Sequence, residues 1–102
     1  MSGKRTVSVF GATGSIGVST LDLVTRNPDA FEVLALTAHS NVEALAQAAR
    51  TTRAKLAVIA DEACHDALKA ALSGTGIETA AGAQALVDAA TLGADWTMAA
   101  IV

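Results

Sequence analysis

The groups in this chain that could do chemistry lie in its turns. Gly11-Ala12-Thr13-Gly14-Ser15-Ile16-Gly17 follows the apolar run Val7-Ser8-Val9-Phe10 and opens a helical pattern, the place where an α/β protein wraps its backbone around a phosphate. The GxxGxxG spacing is a relative of the dinucleotide-binding GxGxxG. There, glycines permit a tight turn, admit a pyrophosphate to backbone N–H groups and bring helix close to strand. Thr13 and Ser15 add hydroxyl donors beside the free N–H groups of a helix N-terminus, where the helix dipole also favours an anion. Gly17 shares a helical face with Leu21 and Val24, so its missing side chain would let that face settle closely on the sheet. A glycine triplet can also be an ordinary strand-to-helix turn; its position after the first strand favours the nucleotide reading.

A second group lies about 20 residues further on, where NAD-binding proteins place an acid that accepts hydrogen bonds from the adenosine ribose. This chain has Thr37-Ala38-His39-Ser40-Asn41 there. With no carboxylate to repel it, a 2′-phosphate could be accepted by Ser40, Asn41 and the start of the next helix, aided by His39 when protonated. NADP is therefore favoured over NAD. Ser40 and Glu43 are also spaced as a capping box. Asp61, Cys64 and His65 stand at i, i+3 and i+4, a spacing open to metal ligands. Cys64 falls on the apolar face of its helix and Asp61 is placed to cap it, which favours a structural role. Asp22, Asp66, Asp88 and Asp95 have no evident partner for a paired-carboxylate site, and Trp96 reads as packing. No nucleophile–base pair is present, so catalysis is not written in these residues.

The elements that must position these turns alternate strand and helix. Thr6 to Phe10 reads as a buried first strand, and the helix after the glycines should run from about Ser15 to Arg26, ended by Asn27-Pro28. Phe31 to Thr37 is a second strand. Val42, Leu45, Ala46 and Ala49 give the next helix its apolar face. Leu56 to Ala60 forms a third strand, followed by a helix with Cys64, Ala67, Leu68, Ala71 and Leu72 inward. Ile77 to Ala80 is a weaker strand, Ala85, Leu86, Ala89 and Ala90 mark a fourth helix, and Trp96 to Val102 reads as a fifth strand. Five strands alternating with four helices imply an α/β, Rossmann-like, doubly wound parallel sheet covered on both faces. A ligand would sit beyond the carboxyl ends of the strands, beside the first. The chain stops at the carboxyl end of the fifth strand, so the fold is expected to be the incomplete start of a longer protein.

Composition narrows the partners. A chain of 102 residues, 52% hydrophobic and 17% charged, makes one domain, small for a complete enzyme. No apolar run approaches the length of about 20 that crosses a bilayer. The net charge of −3 with seven scattered basic residues offers no stripe for a nucleic-acid backbone. One cysteine excludes an intramolecular disulfide, and Met1 to Thr6 carries no leader pattern. Neither nucleic acid nor membrane is expected as a partner, and a cytoplasmic protein is the simplest account.

Taken together, Val9 to Gly17, then Ser19-Thr20-Leu21-Asp22, Asn27-Pro28, Leu34-Ala35-Leu36-Thr37-Ala38 with Asn41-Val42, and Met98-Ala99-Ala100-Ile101-Val102 resemble the 1-deoxy-D-xylulose 5-phosphate reductoisomerase family. The likeness runs in order over nearly the whole chain, and the sequence of TGSIG, STLD and MAAIV is more specific than the glycines alone. It implies the NADPH-binding start, residues 1–102, of a bacterial enzyme. That enzyme would rearrange and reduce 1-deoxy-D-xylulose 5-phosphate to 2-C-methyl-D-erythritol 4-phosphate in non-mevalonate isoprenoid biosynthesis. By this resemblance Thr13, Gly14, Ser15 and Ile16 would hold the pyrophosphate and adjoining ribose. His39, Ser40 and Asn41 would meet the 2′-phosphate end, and Ala100 with Ile101 would lie near the nicotinamide. Family members often carry a small residue followed by a basic one where this chain has His39-Ser40. The resemblance also implies that the magnesium or manganese ligands, the site for the sugar phosphate and the homodimer-forming parts belong to the remainder of the longer protein. This chain alone would then be inactive. Two other readings stand beside it: the nucleotide domain of another NADP-dependent oxidoreductase, such as an aspartate-semialdehyde dehydrogenase, and a stand-alone nucleotide-sensing module.

Overall fold

Short runs of valine, isoleucine, leucine and alanine form the strands, and each is followed by a longer segment with helical spacing. The computed structural model describes residues 5–12, 15–27 and 29–99, with the side chains of residues 15, 16, 18 and 99 outside that description. In chain order the elements are β1 (Arg5–Phe10), α1 (Ser15–Arg26), β2 (Phe31–Ala38), α2 (Val42–Thr52), β3 (Leu56–Ile59), α3 (His65–Ala71), β4 (Glu78–Ala81), α4 (Ala83–Ala90) and β5 (Trp96–Ala99). A single 3-10 turn, Glu62–Cys64, leads into α3. All strands are parallel, in the order β4-β3-β2-β1-β5. The chain therefore steps from β1 to β4 in one direction and returns across the sheet to place β5 on the other side of β1. That reversal opens a crevice at β1, where ligands of open parallel sheets bind.

The two faces are covered unequally. Val7, Val9, Val33, Leu36 and Ile59 pack against α1, α2 and α3 through Leu21, Val24, Leu45, Leu68 and Leu72. The opposite face carries a smaller cluster of Ala35, Val58 and Ala89, with Phe10, Ala85 and Leu86 beside it, beneath α4. Alanines at 46, 49, 54 and 57 keep the α2 side thin, so the helix approaches the sheet closely and the few large side chains carry most of the burial.

Two inward assignments do not hold. Ala67 and Ala90 are exposed. The segment before α3 winds its first turn as a 3-10 helix, with three residues per turn, so a 3.6-residue projection carried forward from Cys64 misplaces Ala67. Helix α4 ends at Ala90, where Thr91 N donates to Val87 O and Asp88 O, and the last residue turns outward.

Three of the aspartates without an evident partner in the sequence have one in space. Asp95 Oδ2 accepts from Thr6 N at 2.9 Å and from Thr6 Oγ1 at 3.3 Å, while Asp95 N donates to Thr6 Oγ1 at 2.9 Å. This clamp fixes the start of β5 beside the start of β1. Asp22 pairs with Arg26 at 3.2 Å on the exposed side of α1, and Asp88 Oδ1 accepts from Gln84 Nε2 at 3.1 Å. Trp96 packs its ring 5.5 Å from that of Phe31, with the Arg5 guanidinium 5.8 Å from its centroid. The last three residues of the expected fifth strand, 100–102, lie outside the described residues.

Candidate functional site

The site begins with a glycine that only a glycine can replace cheaply. Gly11 leaves β1 at φ +82, a left-handed conformation in which a Cβ is strained. Its N–H donates to both the carbonyl and the hydroxyl oxygen of Thr37, each at 3.1 Å, and Ala12 N donates to the same carbonyl at 2.8 Å. Thr37 is 2% exposed. The end of β2 thus holds the start of the glycine turn through three hydrogen bonds, a role that the sequence alone does not assign to Thr37. The available signal is a hydroxyl residue at the carboxyl end of an otherwise apolar strand, where burial demands a hydrogen-bond partner.

Gly17 completes the turn from the helix side. A Cβ there would overlap the Gly11 carbonyl oxygen and stand 2.8 and 2.9 Å from Ala12 Cα and C. The close approach is to the turn's own backbone more than to the sheet, a refinement of the sequence expectation. The first turn of α1 bears no acidic side chain, so nothing there opposes an anion at its free N–H groups. Thr13 and Gly14 lie outside the described residues, as do the side chains of Ser15 and Ile16.

The parallel register sets the level at which three chains leave the sheet. Phe10 stands opposite Thr37 on one side and Ala99 on the other. β1 and β2 consequently reach their carboxyl ends together, with Ala99 of β5 at the same level. The glycine turn and the exposed His39-Ser40-Asn41 bend leave from this edge; Ala100 and Ile101 lie outside the described residues.

The cap of α2 is one residue later than the capping-box spacing suggests. Asn41 Oδ1 accepts from Ala44 N at 3.2 Å, while Ser40 contributes only its carbonyl, which accepts from Val42 N at 3.0 Å. The Ser40 hydroxyl makes no hydrogen bond among the described residues. Asn41→Ala should therefore lower the unfolding free energy by about 1 kcal/mol, the usual worth of such a cap. Ser40→Ala should leave it nearly unchanged. Urea titration of both variants reads the difference, and the reverse ranking would return the cap to Ser40.

The bend is braced from below by the β3 exit. Asp61 N donates to His39 O at 2.9 Å, Asp61 Oδ1 accepts from Ala63 N at 3.0 Å, and the Cys64 thiol donates to Ser40 O at 3.8 Å. Partial burial first, and then the Asp61 carboxylate, push the Cys64 thiol above its ordinary pKa, so it remains a protonated donor near neutrality and not a thiolate nucleophile. His65 Nε2 lies 3.4 Å from Thr79 Oγ1, turned toward β4. Asp61 and Cys64 thus act on each other and on the bend, while His65 turns to a different partner. Among the described residues no three His, Cys, Asp or Glu side chains gather as metal ligands, and no helix is long and apolar enough to cross a membrane.

Residues 7–102 match the model of the family described as 1-deoxy-D-xylulose 5-phosphate reductoisomerase. The chain belongs to that family. The reductoisomerase of Zymomonas mobilis is 63% identical over 102 residues, which cover all of this chain and 26% of the relative. That of Cereibacter sphaeroides is 57% identical over 100 residues. The solved Zymomonas mobilis reductoisomerase in complex with NADPH superposes with a TM-score of 0.94 over 96% of this chain and 26% of that one. A more distant reductoisomerase in complex with NADPH, fosmidomycin and magnesium, 27% identical, superposes at 0.85 over 95% of this chain and 24% of that one. The chain spans about a quarter of the length of the reductoisomerases it matches.

Proposed function

We propose that this chain is the NADPH-binding domain, residues 1–102, of a bacterial cytoplasmic reductoisomerase. The whole protein would convert 1-deoxy-D-xylulose 5-phosphate to 2-C-methyl-D-erythritol 4-phosphate in non-mevalonate isoprenoid biosynthesis and work as a homodimer. The observation that carries the reading is the Gly11 to Gly17 turn at the reversal point of the sheet, locked to the carboxyl end of β2 by Thr37. Its helix N-terminus and the contact that admits no Cβ at Gly17 fit a pyrophosphate.

In this proposal Thr13, Gly14, Ser15 and Ile16 bind the pyrophosphate and its ribose. His39, Ser40 and Asn41 receive the adenosine 2′-phosphate; the Ser40 hydroxyl and Asn41 Nδ2 supply donors, while Asn41 Oδ1 accepts from Ala44 N. Ala100 and Ile101 flank the nicotinamide. The bound cofactor supplies a hydride, and the chain's part is to hold and orient it. The divalent-metal ligands, the sugar-phosphate site and the dimer contacts belong to the remaining three quarters of the enzyme, so this chain by itself should not turn over substrate.

Titration of the chain with NADPH and NADH, followed by cofactor fluorescence and thermal melting, tests the reading. NADPH should bind at least tenfold more tightly than NADH. At a free concentration 100 times its Kd it should stabilise the fold by about 2.7 kcal/mol. Failure of NADPH to bind would overturn the cofactor reading, and equal affinities would overturn the role given to His39, Ser40 and Asn41.

A further inference from the structure

The opposite end of the sheet carries a cleft that the cofactor reading does not use. It has a volume of about 860 Å³ and lies at the amino ends of β3 and β4, below the end of α2. Leu34 and Leu56 line its apolar part, and Arg50, Arg53 and Lys55 bring three cations to it, with Glu78 the one carboxylate.

Arg53 is the informative member. It closes α2 at φ +56, its N–H donating to Ala49 O and Arg50 O, and it is the one non-glycine residue at positive φ among the described residues. Glycine is the usual occupant of such a helix end because it has no Cβ to strain. Here the backbone accepts that strain and keeps an arginine whose guanidinium has no hydrogen bond or ion pair among the described residues. Arg50 Nη1 donates to Ala71 O at 2.8 Å, a bond that leaves most of its five N–H donors available. Lys55 is held by Glu32 at 3.1 Å. Two arginines that line one cleft with Leu34 and Leu56 suit an anion of more than one charge attached to a hydrocarbon body, since the planar fork matches phosphate oxygens in pairs.

We propose that this cleft is a second ligand site, taking a phosphate monoester with an apolar body. Its head meets Arg53 and Arg50, and its body lies on Leu34 and Leu56. The site is independent of the nucleotide reading, being at the other end of the strands from the His39 to Asn41 bend.

Titration of the isotope-labelled chain with octyl phosphate and with inorganic phosphate, read by backbone amide shifts, tests it. Octyl phosphate should saturate, move the signals of residues 50–56 and bind at least tenfold more tightly than inorganic phosphate. Arg53→Gly should raise the melting temperature, because the backbone strain is relieved, yet weaken octyl phosphate at least tenfold while leaving NADPH affinity unchanged. Arg53→Lys, which keeps the charge and loses the fork, should fall between the two. The proposal is overturned if Arg53→Gly binds octyl phosphate as the parent does, if both phosphates bind equally, or if the shifts gather at Trp96 and Met98 on the exposed β5 edge.

Discussion

Gly17→Ala should lower the unfolding free energy by about 1–2 kcal/mol, although alanine is the better helix former. Two effects of opposite sign meet at this position. Replacing glycine within a helix by alanine ordinarily gains about 1 kcal/mol of propensity. Here the added methyl would overlap the Gly11 carbonyl oxygen and stand 2.8 Å from Ala12 Cα. Overpacking of this kind costs about 1–3 kcal/mol and occasionally more. The upper part of that range applies, because the atoms met are backbone and cannot swing aside as a flexible side chain would. The Gly11–Ala12 backbone is itself pinned by three hydrogen bonds to Thr37, so relief by moving the turn breaks those bonds. The same displacement would disturb the turn proposed to hold the pyrophosphate, and NADPH affinity should fall even where the variant remains folded. Urea unfolding gives the sign directly: a higher midpoint than the parent would mean that the close approach of α1 to the turn is wrong.

How legible these features are in the sequence depends on how far away the deciding atom lies. The first helix, expected from about Ser15 to Arg26, is observed over those residues, because its apolar spacing and the Asn27-Pro28 stop are local. The parallel α/β architecture follows from alternation and is what the structure shows. The cap of α2 falls on Asn41 and not Ser40, a choice between two adjacent capping residues that spacing to Glu43 alone cannot make. Thr37 binds the backbone of Gly11, 26 residues earlier, and Asp95 clamps Thr6 across 89 residues. Neither pairing leaves a periodic trace, since each depends on which strands become neighbours. The inward role of Ala67 fails for a local reason instead: the 3-10 turn before α3 changes the pitch on which the projection rests. Of the candidate cofactor contacts, the glycine spacing carried the strongest signal. The His39 to Asn41 bend is legible from its place about 20 residues after that motif, at the end of the second strand, and from the family resemblance.

Leu45→Ala should have the largest effect of any single truncation in α2, lowering the unfolding free energy by about 3–5 kcal/mol. Leu45 is fully buried and belongs to the cluster that joins α2 to the sheet through Leu36 and Ile59 and to α3 through Leu68. Leucine-to-alanine changes at buried sites cost about 2–5 kcal/mol, the sum of lost transfer energy and the cavity left behind. The cavity decides where in that range the change falls. Much of the surrounding wall is alanine, at 46, 49 and 57, and alanine has no side-chain torsion with which to refill space. Closing the hole would require α2 to move bodily toward β2 and β3, and its Asn41 cap and the Arg53 closure at its ends resist that shift. Leu23→Ala supplies the control. Leu23 is 56% exposed on α1, and its truncation should change stability by no more than about 0.5 kcal/mol. Chemical denaturation of the two variants under one set of conditions should separate them by several kcal/mol. Similar costs would mean that α2 is not seated on the sheet through Leu45, and that the His39 to Asn41 bend it carries is positioned by something other than this core.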